Sequence, residues 1–235
     1  MKLNTNSNTY TIVYSMVIVV VVAFLLAFVF QALKSKQDAN VALDKKKQIL
    51  YSLNIRGLDD AQAAEAYSKT VLSDNVVALD GTVQEFTAKD NESTAFKFNS
   101  ADYKNDRLAL YICEVEGQRK YVIPVYGMGL WGPINGYIAL NDDKQTVYGA
   151  YFNHEGETAG LGAEIKDDAS WQAKFVGKKL FADGNEEIAL AVKKKVDNAD
   201  TQVDAVTGAT LTSDGVSAML HECLGKYIKF LQSKE

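Results

Sequence analysis

The chain has 235 residues, 47% of them hydrophobic, with a formal net charge of −5 and a pI of about 5.2. That length supports one domain of ordinary size with an appendage, and it is ample for a buried core. The acidic balance, with no long basic run, argues against nucleic acid as a partner, and the two distant cysteines with no CxxC signal neither a redox dithiol nor a zinc or iron–sulfur site.

The appendage comes first. Thr11 to Leu33, TIVYSMVIVVVVAFLLAFVFQAL, carries no charge and is long enough to cross a hydrocarbon core of about 30 Å as a helix. About fifteen of its residues are Leu, Ile, Val or Phe, each favouring insertion by roughly 0.3–0.6 kcal/mol at the helix centre. Together they outweigh the polar Ser15 and Gln31. A cleaved signal peptide has an apolar region of only about 7–15 residues, and AFVFQALKSK offers no small-residue cleavage site. Residues 1–36 therefore read as an uncleaved membrane anchor in contact with lipid. Lys2 precedes the span, whereas Lys34, Lys36 and Lys45 to Lys47 follow it. By lysine count alone, the large domain would face the cytoplasm.

Residues 37–100 read as a juxtamembrane helical and linker region. Gln37 to Asn54 sets Val41, Leu43, Ile49, Leu50 and Leu53 among charges, as a helix would. A second helix, LDDAQAAEAYSKTVLSD, opens with Asp59 or Asp60 as its cap. Asp80 to Ala101 is polar, with KDNES as its most loop-like part.

The third region, 101–235, changes period. LALYICEV, KYVIPVY, GYIAL, TVYGAYFN and EIALAV are rich in aromatic and β-branched residues, and turn elements such as EGQR, NDDKQ and ADGN separate them. They predict an antiparallel sheet, interrupted at DASWQAKFVG by a short helix capped by Asp168. Val216, Met219, Leu220, Cys223, Tyr227 and Leu231 recur at helical spacing and predict a C-terminal helix starting near Thr212. The fold class is α+β, an antiparallel sheet with flanking helices behind one transmembrane helix. Cys113 and Cys223 sit in apolar patterns that read as buried thiols, with a disulfide as the alternative.

Three glycine-rich patches carry the candidate chemistry. In DAVTGATLTS, residues 204–213, the hydroxyl side chains sit just ahead of the C-terminal helix. One reading is an N-cap. The other is a phosphate site, because a helix N-terminus presents unpaired amides and a partial positive charge. Gly208 would let the backbone approach, Ala209 would leave room, and the Thr210 hydroxyl would stand beside the phosphate. In HEGETAGLGAEI, residues 154–165, Thr158, Leu161 and Gly162 could meet a flat ring, or the segment is a surface loop. His154 with Glu155 and Glu157 is only a weak metal signal, because single His and carboxylate residues on a loop occur often by chance. YGMGLWGPINGY, residues 126–137, is either a wide turn anchored by a buried Trp131 or a ring or partner contact.

Together, GLW at 129–131, HEGETAGLG at 154–162 and DAVTGAT at 204–210 resemble the covalent FMN-binding domain found in the C subunit of the sodium-translocating NADH:quinone oxidoreductases. The likeness covers the anchor and nearly everything from Leu108 to the end. Ala159 stands where that family usually has proline. The resemblance implies FMN attached through its phosphate to Thr210, the last threonine of the motif, by a separate flavin transferase that uses FAD as donor. Asp204, Thr207, Gly208 and Ala209 would then be motif residues recognised by the transferase or lining the phosphate. Thr158, Leu161, Gly162, Leu130 and Trp131 are candidate ring contacts. The resemblance also implies a domain on the periplasmic side of the inner membrane, against the lysine count.

The expected function is therefore electron relay by covalent FMN, in a complex whose other subunits are the partners and which oxidises NADH, reduces quinone and exports sodium. No nicotinamide fingerprint assigns NADH binding to this chain. The paralogous G subunit of the Rnf complex is the nearest rival; GLW and the long segment between anchor and sheet favour the sodium pump. A cofactor-free anchored binding domain, with Thr210 as a mere helix cap, is the rival of another class.

Overall fold

The computed structural model describes residues 7–84 and 95–233; KDNES, expected to be the most loop-like part of its segment, lies outside them. Two compact units divide the chain, Met1–Leu43 and Asp44–Glu235. The first is built from helix α1, Asn8–Ser52, whose last turns from Asp44 belong to the second unit. The expected apolar span lies within α1. Its side chains are exposed throughout, and it is long and apolar enough to cross a membrane.

Helix α2, Asp60–Thr70, starts where the sequence places a cap. The Asp59 carboxylate accepts from Gln62 N–H, and the Gln62 side chain returns the bond to Asp59 N–H. This reciprocal pairing satisfies two otherwise orphaned donors. The helix ends earlier than the sequence pattern suggests. Val71–Val77 is not its continuation but strand β1, within the region read as a linker. Strands β2 (Val83–Gln84), β3 (Leu108–Val115), β4 (Gln118–Met128), β5 (Pro133–Leu140) and β6 (Val147–His154) complete a sheet in the order β2-β1-β3-β4-β5-β6. All of its pairings are antiparallel, as expected.

The sheet is covered on both faces, so its central strands alternate between two apolar environments rather than between core and water. On one face Ile123, Val125, Ile138 and Phe152 join Val216, Met219 and Leu220 in the main core. These last three lie on α6, Thr210–Gly225, which packs along β4. The other face carries Tyr111, Tyr137 and Tyr151, all buried; Tyr51, from the end of α1, packs at a tilt on Tyr151 with ring centroids 5.3 Å apart. Short helices α3 (Ser100–Lys104), α4 (Glu164–Asp167), α5 (Ala169–Ala173) and α7 (Ile228–Gln232) fill the edges. Asp168 caps α5, as its sequence indicates, accepting from Ser170 and Trp171 N–H.

Three further expectations are corrected. EIALAV does not extend the large sheet. Of that stretch only Ala191 and Val192 fall in a strand, β7 (Ala191–Lys193), which pairs in parallel with β8, Gln202–Asp204, in a separate two-stranded sheet. Helix α6 begins at Thr210, two residues before the expected start, because Ala209 already supplies the carbonyl that opens the helix. Trp131 is no buried anchor: its side chain stands in solvent. Cys113 and Cys223 are both buried and form no disulfide with each other; the Cys223 thiol lies 3.3 Å from the Tyr126 carbonyl, to which it donates.

Candidate functional site

The parallel pair β7–β8 sets up the site, because β8 delivers the chain to the start of α6. Asp204 ends β8, where its carbonyl accepts from Trp171 Nε1 at 2.8 Å and its carboxylate pairs with Lys174 at 2.8 Å. After Val206 the chain turns sharply at Gly208, whose φ of +78° is a region that only glycine enters without strain. A side chain there would also meet Leu161, since a Cβ on Gly208 would sit 2.8 Å from Leu161 Cδ2. The 154–163 loop is thereby placed against the turn that precedes α6.

Ala209 is the N-cap of α6 and offers no side-chain oxygen. The first amide bonded into the helix is that of Ser213, to the Ala209 carbonyl at 3.0 Å. The opening amides thus keep the partial positive charge of an uncapped terminus. Thr210 is the first helical residue, and its side chain is exposed. Among the described residues none bonds to its hydroxyl. Thr207 is exposed as well, one turn of chain earlier. Ser213 faces inward and accepts from Val206 N–H at 3.1 Å, which ties the motif back on itself.

The residue that joins the three glycine-rich patches is Glu157. It is buried, and its two carboxylate oxygens serve different segments. Oε1 accepts from Trp131 N–H at 2.9 Å, and Oε2 accepts from the Thr212 hydroxyl at 2.6 Å. Glu157 N–H in turn donates to His154 Nδ1 at 3.2 Å. Burial alone would push this carboxyl up. The Thr212 hydroxyl, the backbone N–H groups of Trp131 and Gly132, and nearby His154 outweigh burial and hold it below the ordinary carboxylate value. Gly129 and Gly162 make room for it: a Cβ on either would lie 2.4 Å from one of its oxygens. Gly215 plays the same part between α6 and β4, where a Cβ would fall 2.3 Å from the Met128 carbonyl oxygen.

Around Thr210 the same three segments expose apolar side chains. Trp131 is 69% exposed, Leu211 60% and Leu161 42%, and Leu130 and Met128 are exposed too. The 154–163 loop is held by its own backbone, the Thr158 carbonyl accepting from Leu161 and Ala163 N–H, while the Thr158 side chain is exposed. Gly162, by contrast, lies beneath the surface against Glu157 and Thr212. In the sequence Glu157 reads as a capping acid of a surface loop or a weak metal candidate, and its joining role is not visible there. The usable signal was a carboxylate framed by glycines in one patch, with a second hydroxyl just past Thr210 in another.

An FMN-binding domain family model matches residues 129–225, from the GLW turn to the end of α6. The C subunit of the Na(+)-translocating NADH-quinone reductase of Haemophilus ducreyi is 35% identical over 232 residues, spanning 92% of this chain and 89% of that protein. The chain belongs to this C-subunit family. Its counterpart from Pseudomonas aeruginosa is 32% identical over 95% of this chain and 94% of that protein. The solved structure of the Parabacteroides distasonis family member superposes with a TM-score of 0.77 at 36% identity, covering 86% of this chain and 98% of that one. Shewanella oneidensis NqrC, at 23% identity and a TM-score of 0.66, shares the fold. The matched span 129–225 contains Glu157 and both of its hydrogen-bond partners, Trp131 and Thr212.

Proposed function

We propose that this chain is the flavoprotein subunit of a sodium-translocating NADH:quinone oxidoreductase, with FMN held as a phosphoester on Thr210. The single observation that carries this reading is the exposed Thr210 hydroxyl, unbonded among the described residues, on the first residue of a 16-residue helix whose N-terminus has no side-chain cap. FMN fits these surroundings. Its phosphate is matched by the amides and positive end of α6. Its flat ring system is matched by the exposed apolar side chains of Leu130, Trp131, Leu161 and Leu211.

When bound, FMN supplies the redox chemistry that amino-acid side chains lack. The chain's own residues hold and orient it. Thr210 Oγ1 is the ester oxygen, and Gly208 and Ala209 keep its approach free of side-chain bulk. Asp204 and Thr207 complete the motif read by the flavin transferase. Thr158, Leu161 and Trp131 border the ring, and Gly162 supports it from below through Glu157. A threonine hydroxyl is a weak nucleophile without a base, and none bonds to Thr210 among the described residues. An external transferase accounts for the attachment.

The apolar part of α1 anchors the chain in the inner membrane, among lipid and the other subunits of the complex. The domain faces the periplasm, where the transferase works. The test is to produce the full chain with and without a flavin transferase and to run it denatured in a gel. A fluorescent band that depends on the transferase is expected. A chain that stays dark under both conditions would overturn the covalent link to Thr210.

A further inference from the structure

Thr212 lies two residues after Thr210 in the first turn of α6, so their side chains leave the helix about 200° apart. Thr212 is buried and Thr210 exposed. The buried side is gripped by Glu157, whose other oxygen holds the Trp131 amide in the GLW turn. A carboxylate removed from water is costly unless each oxygen is hydrogen-bonded, and here both are. Each bond runs to a different segment, and Gly129 and Gly162 close over the two oxygens with no room for a Cβ.

We propose that Glu157 is the positioning residue of the flavin site. Its carboxylate locks the first turn of α6, the turn at 129–132 and the loop at 154–163 into one seat, and so fixes the face on which Thr210 presents its ester beside Trp131 and Leu161. This rests on the assignment of the flavin to Thr210. Glu157 acts through Thr212 and the Trp131 backbone, not by touching the cofactor. Its charge matters as well as its shape, because a glutamine in its place can accept with one oxygen only.

The experiment uses the full chain produced with the flavin transferase, as wild type, Glu157→Gln, Thr212→Val and the double variant. The readouts are the flavin's visible circular dichroism and its midpoint potential. Both single variants are expected to keep the covalent flavin while their circular dichroism and potential move away from wild type. The double variant should move by less than the sum of the two single shifts, because both substitutions act on the same pair. Wild-type values in both single variants, or fully additive shifts, would overturn the proposal.

The same substitutions in a Thr210→Ala chain, which has no ester, supply a reading independent of the flavin. Amide exchange at Trp131 and at Ser213, the first bonded amide of α6, should quicken about tenfold in Glu157→Gln, as expected where a charge-assisted bond becomes a neutral one. Exchange in β3 and β4 should not change. Unchanged exchange at both segments would overturn the proposal even if the wild-type chain proved to carry no flavin, an outcome that by itself counts only against the Thr210 assignment.

Discussion

Thr212 Oγ1 lies 2.6 Å from Glu157 Oε2, a hydrogen bond between two buried side chains 55 residues apart in sequence. It joins the helix that presents Thr210 to the loop that presents Leu161. The space for this bond is made by Gly162, and the first prediction tests that space. A Cβ at Gly162 would lie 2.4 Å from Glu157 Oε2 and 2.6 Å from Thr212 Oγ1. Gly162→Ala should therefore destabilise the fold by about 1–3 kcal/mol, as overpacking does. Gly156, in the same loop, has open space around it and no left-handed φ. Gly156→Ala should be neutral or stabilising by up to about 1 kcal/mol. Urea unfolding of the two variants gives the comparison, and equal costs would contradict it.

The second prediction concerns acid. The bonds from Thr212, Trp131 and Gly132 hold Glu157 below its ordinary value of 4.5 despite its burial. A carboxylate depressed in the folded state contributes stability above its unfolded pKa and loses it as pH falls through the folded one. The stability difference between wild type and Glu157→Gln should be largest near neutrality and shrink progressively below pH 4.5. Unfolding curves across that range measure it, and a difference independent of pH would mean that the carboxylate is not the bonded species.

Much of this architecture was legible beforehand, and the exceptions have physical causes. The anchor, the Asp59 and Asp168 caps and the antiparallel core strands follow from hydropathy, capping chemistry and period. Strand β1 did not, because Val71–Val77 buries Asp74 and Asn75 completely, against the usual alternation of apolar and polar residues. Asp74 is accommodated by the Tyr67 hydroxyl at 3.3 Å, a tertiary contact invisible in the local pattern. The parallel pairing of β7 with β8 depends on where the intervening turn delivers the chain. Within the site, the motif residues were named from sequence. The role of Glu157 emerges only when the three patches are brought together.

A third prediction addresses the exposed ring contacts. Trp131 is 69% exposed, and its side chain takes part in no hydrogen bond or ring stacking among the described residues. Trp131→Ala should therefore change stability by no more than about 0.5 kcal/mol. If the indole borders the flavin, the substitution should raise the fluorescence of the covalently held cofactor in the native protein, and Leu161→Ala should shift its absorption band. Native fluorescence and absorption identical to wild type in both variants would separate these side chains from the ring.

Topology is open to a direct labelling test. Cys113 and Cys223 are fully buried, so an engineered thiol can report alone. The Lys195 side chain is 88% exposed, and Lys195→Cys should react with a membrane-impermeant thiol reagent in intact cells. Labelling only after the inner membrane is broken would place the domain in the cytoplasm, as the lysine count around the span suggests.

The central claim is that Thr210 carries the flavin, and peptide mass analysis of the denatured full chain tests it most directly. Produced with the transferase, wild type and Thr207→Ser should yield the peptide containing residues 204–213 with an added FMN phosphoryl group on Thr210. Thr210→Ala should yield it unmodified, in a chain that still folds, since the loss is at most a cap's worth of about 1 kcal/mol. An FMN adduct on the Thr210→Ala peptide, or on Thr207 of the wild type, would contradict the assignment.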